Sequence, residues 1–184
     1  MKFDVFKKGI GIILLILFVV CAVSCVNAAD DEDDSEITML TLSKGGLVIN
    51  YPSTWGYSEA TSPYAIMAIS KLDSIDSTGI GQINILVEKK PVEGEFYTYV
   101  NDSYKEMEQD SSYQIVSSGG VLIGNIDGVE YVYTSDINGS VKQHKAVWFE
   151  KGGQAYVLSY NAPTDQFEEN LYVFDYILSD INIT

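Results

Sequence analysis

The sequence predicts an α+β domain in which an antiparallel β-sheet carries helices packed on its faces, an α/β/α sandwich. Three observations lead there. Segments from Gly46 to Tyr160 alternate apolar and polar residues with the period of a strand. Asp127-Gly128, Asn138-Gly139 and Gly152-Gly153 are two-residue hairpin signals that divide residues 113–161 into four strands. Two further stretches space their apolar residues as a helix does, so each has one face to bury.

The elements follow in order. Strands are expected at 46–51, 64–71 and 81–89, then a helix at 95–109. Strands at 113–124, 128–136, 141–151 and 154–161 form a meander, and a helix at 164–179 follows. In "GVEYVYTSD", Val129, Tyr131 and Tyr133 share one side, and Glu130, Val132 and Thr134 the other. The first helix places Phe96, Val100, Tyr104 and Met107 on one stripe, and the second places Phe167, Leu171, Phe174, Ile177 and Ile181. Asp165, with Glu168 three residues on and Pro163 before it, resembles a capping box.

The N-terminus reads as an export signal. Lys2, Lys7 and Lys8 precede the apolar run from Ile10 to Val23, and "SCVNAADD" supplies a small-residue exit. Val26 and Ala28 occupy the −3 and −1 positions of a cut before Ala29. Uncleaved, Ile10 to Val26 is nearly long enough to anchor in a bilayer with the lysines inside. "AVSC" also resembles a lipobox, which makes Cys25 a candidate lipidation site, although Ala22 stands where that motif prefers Leu. The organisation is therefore 1–28 signal peptide or membrane anchor, 29–36 acidic disordered linker, and 37–184 folded domain. The linker "ADDEDDSE" is a solvated tether and lacks the pattern of a calcium loop.

Composition excludes several functions. All eleven basic residues are lysine and the net charge is −15, which argues against nucleic acid. Removal of 1–28 takes away three lysines and Asp4 and brings the charge to about −17. Cys21 and Cys25 both lie in the leader, so a chain from Ala29 has no disulfide, thiol nucleophile or cysteine metal site. His144 is the single histidine, mid-strand between Lys142 and Lys145, and reads as a filler rather than a catalytic base. No metal, cofactor or catalytic residue is expected. Glu168-Glu169 and Glu106/Glu108 read as solvated helix charge. Three sequons make Asn101, Asn138 and Asn182 candidate N-glycosylation sites, with Asn138 on its hairpin turn best placed. The 13 tyrosines are mainly core-edge residues, with the remainder free for a binding surface.

The opening "INYPSTWGY" and the ending "AYVLSYNAPTDQFEENLYVFDYILSDINI", with three strands, a helix, four strands and a helix between them, resemble the PsbP-like family. Its members are secreted relatives of the photosystem II extrinsic protein PsbP, and the resemblance spans 37–184. Ser70 to Gly79 matches nothing in that pattern. The resemblance implies a first strand that Pro52 ends, since proline lacks the ladder donor, and a Trp55 folded back onto the core. The alternative reading makes Tyr51 and Trp55 an exposed binding surface for sugar stacking.

The resemblance implies an accessory role, with nothing to indicate photosynthesis. The expected function is an exported, non-enzymatic accessory or binding protein of the cell envelope, acting through contacts with a protein partner there. It would be secreted or tethered to the outer face of the cytoplasmic membrane, touching the membrane only through its N-terminal segment. The alternative is a glycan or cell-wall binding module using exposed Tyr and Trp.

Overall fold

A computed structural model of the chain describes residues 37–60 and 62–184. The expected leader 1–28, with Cys25, and the expected linker 29–36 lie outside the described residues. The strands are β1 (Met39–Lys44), β2 (Leu47–Pro52), β3 (Trp55–Ser58), β4 (Ala65–Lys71), β5 (Asn84–Pro91), β6 (Tyr113–Ile123), β7 (Ile126–Ile137), β8 (Ser140–Lys151), β9 (Gln154–Pro163) and β10 (Asn182–Ile183). The helices are α1 (Phe96–Met107) and α2 (Phe167–Asp180). A 3-10 turn, Leu72–Ser74, lies between β4 and β5.

Seven strands make one antiparallel sheet in the order β3-β4-β5-β9-β8-β7-β6, and β1-β2-β10 form a small second sheet. The period-2 alternation sends alternate residues to opposite faces. On β8, Ala146 and Trp148 join Phe96, Val100, Tyr104 and Met107 of α1 in one cluster. Their neighbours Val147 and Phe149 join Phe167, Val173, Phe174 and Ile177 of α2, with Leu47 and Ile49 of β2, in the other. One helix thus covers each face of the large sheet, and the small sheet shares the α2 side.

The meander is as expected, with two exact-type hairpin turns and one displaced turn. Asn138-Gly139 and Gly152-Gly153 have positive φ at both positions, 55° and 82°, then 61° and 72°. That is the type I′ requirement. The third turn is not Asp127-Gly128. Ile123 pairs with Ile126 around Gly124-Asn125, and only Gly124 has positive φ there, 60°. Gly128 instead lies within β7, where a Cβ would come 2.5 Å from the Trp148 carbonyl oxygen and 2.6 Å from Ile123 Cδ1. That glycine serves packing, and the shift lengthens β7 to Ile126–Ile137.

Three strands were not expected. β1 pairs with β2 around Gly45-Gly46, whose φ values are 63° and 89°, the same signal that marks Gly152-Gly153. β3 pairs with β4 and places Trp55 opposite Lys71. β10 pairs with β2 through Asn182 and Val48. Pro52 therefore ends a strand of one sheet, and Trp55 opens a strand of the other after two residues. The capping box is also corrected. β9 runs on to Pro163, so Asp165 falls in the intervening turn, and the N-cap residue of α2 is Gln166, with no side-chain capping bond. On α2 the stripe is Phe167, Asn170, Val173, Phe174 and Ile177, with Leu171 half-buried at its edge.

Candidate functional site

The α1 side of the sheet has two zones. Under the helix lies an aromatic box. Tyr104 stacks on Tyr131 with centroids 3.6 Å apart, meets Tyr133 and Trp148 edge-on, and accepts a 2.9 Å bond from Trp148 Nε1. Lys90 lies 5.0 Å from the Trp148 ring centroid and pairs with Glu88 at 3.1 Å. Burial pushes the Tyr104 and Tyr133 phenols well up, so both stay neutral.

Beyond the box the same face turns polar. Register aligns Tyr133, His144, Asn161, Asn84 and Ser70 across β7, β8, β9, β5 and β4. Asn161 Nδ2 donates to Asn84 Oδ1 at 2.9 Å and to the Ser159 carbonyl at 3.1 Å. Its oxygen is therefore left to accept from His144 Nδ1 at 2.6 Å. With the proton on Nδ1, Nε2 accepts from Ser135 Oγ at 2.8 Å. Asn84 Nδ2 continues the chain to the Gly81 carbonyl at 2.9 Å. Tyr133 stacks on the imidazole, centroids 4.6 Å apart.

Ser135, His144 and Asn161 thus have the connectivity of a nucleophile, a base and an orienting group. Their surroundings give them a different task. Ser135 and His144 are 6% and 8% exposed, so no substrate carbonyl reaches the hydroxyl. Burial, with Lys142 adding to it against the pull of the Asn161 bond, holds the imidazole down to about 4. The row ties four strands together and pins the 72–83 loop through Gly81. That loop overlaps Ser70 to Gly79, the stretch that the resemblance left unmatched. Asp76 organises it by accepting from Thr78, Ile80 and Gln82, and Gly81 lies so close over Ser70 that a Cβ would sit 2.4 Å from the serine Cβ.

The other expected residues fall as follows. Tyr51 and Trp55 are 6% and 2% exposed, which corrects their candidacy as a binding surface: both rings are spent on the core beside α2. Trp148, the second tryptophan, is also buried. Asn101 on α1, Asn138 on its type I′ turn and Asn182 on β10 are all exposed. Among the tyrosines, Tyr133, Tyr156 and Tyr160 are buried, whereas Tyr97, Tyr172 and Tyr176 are exposed. Tyr172 and Tyr176 stand one turn apart on α2. Among the described residues no group of three or more His, Cys, Asp or Glu is placed to hold a metal, and no helix is long and apolar enough to cross a membrane.

Two shallow grooves flank the tip of the β6–β7 hairpin. One, of about 550 Å³, lies between Tyr97 of α1 and Gly120, Leu122 and Val129. The other, of about 410 Å³, lies between the turn at Gly124-Asn125 and Ile181 to Ile183. Neither includes Ser135 or His144. Sequence reasoning missed this hairpin tip because it placed the turn at Asp127-Gly128.

The layers described above define a PsbP-like α+β fold. The chain is similar to the solution structure of cyanobacterial PsbP (CyanoP) from Synechocystis sp. PCC 6803, with a TM-score of 0.61 and 13% identity over 85% of this chain and 98% of that one. It is also similar to LpqN of Mycobacterium tuberculosis, which is involved in cell envelope biogenesis. There the TM-score is 0.57 and the identity 17%, over 82% of this chain and 93% of LpqN. A third similar structure is PA94, a protein of unknown function from Pseudomonas aeruginosa, with a TM-score of 0.51 and 11% identity over 77% and 94%. No family model matches the chain, and no curated protein sequence matches it.

Proposed function

We propose that this chain is an exported, non-enzymatic accessory protein of the cell envelope that acts through protein–protein contacts. The observation that carries this reading is where the chemistry-bearing side chains go. The one histidine is spent on a buried strand-bridging row, and both tryptophans are interior. The large apolar and aromatic side chains that face outward include Tyr97, Tyr172, Tyr176 and Leu122, and exposed tyrosine suits contact more than catalysis. The likeness to a protein involved in cell envelope biogenesis supports the location, as does the leader. A glycan-binding role loses its Trp55 platform to the core and would rest on the tyrosines alone.

The test is cross-linking on intact host cells, followed by capture and mass spectrometry. An accessory subunit gives one recurrent membrane protein at near-equal amounts, and the linked lysines map its face. Scattered cross-links, with the chain co-purifying with wall polymer, would sink the proposal in favour of glycan binding.

A further inference from the structure

β6 ends the large sheet. Among the described residues it pairs with β7 on one side and with nothing on the other. A free strand edge presents unpaired N–H and C=O groups, and proteins usually guard it with lysine, proline, a bulge or brevity. The opposite edge, β3, is four residues long. β6 has eleven residues, Tyr113–Ile123, and none is charged or proline, in a chain with 26 acidic residues. Its one guard is a register shift between Ile115 and Ser117. From Ser117 to Ile123 the edge is regular and open.

The middle of that stretch is Gly119-Gly120. Neither glycine has positive φ, and a Cβ on either would meet nothing within 4 Å. Backbone conformation and internal packing therefore leave both positions free for larger residues. Glycine inside a strand weakens it, and a common reason for one there is the close approach of another backbone. Two residues on, Leu122 is 64% exposed on the same face as Gly120, with the half-exposed Tyr97 ring across the groove.

We propose that the β6 edge joins two copies of this chain by antiparallel strand addition about a two-fold axis at Val121. In that register Leu122 of each copy lies opposite Gly120 of the other, and Ile123 opposite Gly119. Each leucine fills the space the partner's glycine leaves beside Tyr97, and the contact is self-complementary as a two-fold interface requires. The pairing of Gly120 with Leu122 across the axis favours a second copy here, and the absence of charge on β6 permits it. Two bodies of net charge −15 repel, but the joined strands bring no charge into the contact. The acids Glu108 and Asp110, ahead of β6, stay outside an overlap centred on Val121. The acids that flank the overlap from β7 are Asp127, opposite Leu122, and Glu130, opposite Gly119. The residual repulsion is long-range, so salt strengthens the pairing by shortening the screening length.

The experiment uses the full chain, expressed with its leader in an exporting host and purified as that host processes it. Light scattering gives its protein mass, corrected for detergent where present, at low and high salt. The expected result is two chains per particle, with the paired fraction rising with salt. Gly120→Lys and Leu122→Lys each bring the mass to one chain that keeps the circular dichroism of the folded protein and melts at a temperature no longer dependent on protein concentration. With Cys21 and Cys25 replaced by serine, Val121→Cys forms a disulfide-linked dimer, whereas Val141→Cys on β8 does not. A one-chain mass at every salt concentration overturns the proposal, and slow amide exchange at Ser117–Ile123 in that monomer would assign the edge to the chain's own N-terminal residues. A two-chain mass that survives both lysine substitutions overturns it as well. A heteromer carrying a different protein on this edge gives the third overturning result.

Discussion

His144 shows how one residue can have the right neighbours for chemistry and the wrong place for it. A reacting serine must meet its substrate, and Ser135 is under the surface. What the imidazole does is satisfy a hydroxyl and an amide that would otherwise be buried without partners. Replacing His144 with Phe leaves the Ser135 hydroxyl and the Asn161 side-chain oxygen without these partners, and the expected loss is about 2–4 kcal/mol in denaturant unfolding. The pH dependence has a definite sign. The folded imidazole titrates at about 4, below the unfolded value of about 6.5. Between those values the unfolded chain binds the extra proton, so stability is full above pH 6.5 and falls as the pH drops towards 4. The loss attributable to His144 is on the order of 3 kcal/mol. It is read as the difference between wild-type and His144→Phe stability curves, because carboxylates titrating near the acid end cancel between them. Parallel curves would contradict a buried neutral histidine.

The elements are held by a few specific bonds laid over apolar burial. α1 is seated by Phe96, Val100, Tyr104 and Met107, the stripe expected from the sequence. Its start is fixed by the Glu95 carboxylate, which accepts from the Tyr97 and Thr98 amides; the bonds to Thr98 and Tyr97 hold that acid below its usual range. The bond that orients the helix on the sheet is Trp148 Nε1 to Tyr104 Oη, which joins residues 44 apart in sequence. Tyr104→Phe keeps the ring stack and leaves the buried indole N–H unpaired. The expected cost is about 1–3 kcal/mol, measured by chemical unfolding, with the greatest gain in amide exchange along α1. A silent substitution would mean that the stack alone holds the helix. α2 is joined differently: Lys145 on β8 bridges Glu130 and Asp175 at 3.2 and 3.0 Å and lies over the Phe174 ring. No periodicity signals that contact, because it pairs residues from three elements.

At the scale of the molecule, the folded part draws its stability from two apolar clusters, one on each side of a single sheet, and residues 29–184 contain no cysteine. Reducing agent should therefore leave the melting temperature of 29–184 unchanged, as followed by calorimetry. Measured on the protein as its host exports it, a marked drop would overturn the cut at Ala29, since Cys21 or Cys25 would then remain and be cross-linked. The meander, both helices and the α+β class were legible in the sequence because each rests on local signals: period 2, period 3.6, and turns that demand positive φ. The small sheet was not read, although Gly45-Gly46 carried the same turn signal as Gly152-Gly153. β1 is exposed along most of its length, so its alternation points at no core, and β10 has two residues. Tyr51 and Trp55 were ambiguous for a related reason. An aromatic after a proline reads equally as a plug or a platform until its neighbours are placed.

By itself, then, the sequence determined the class of fold, the acidic charge, the confinement of cysteine to positions 21 and 25, and the order of the strands from 113 to 161, since all of these are properties of composition or of residues close in the chain. Only the tertiary structure decided that Pro52 and Trp55 belong to different sheets, that Ser135, His144, Asn161 and Asn84 form one bonded row, and that β6 is the strand left at the edge. Those facts depend on strand order and register, the row closing with a bond between residues 77 apart, and register is set by how whole faces pack, which no local pattern carries.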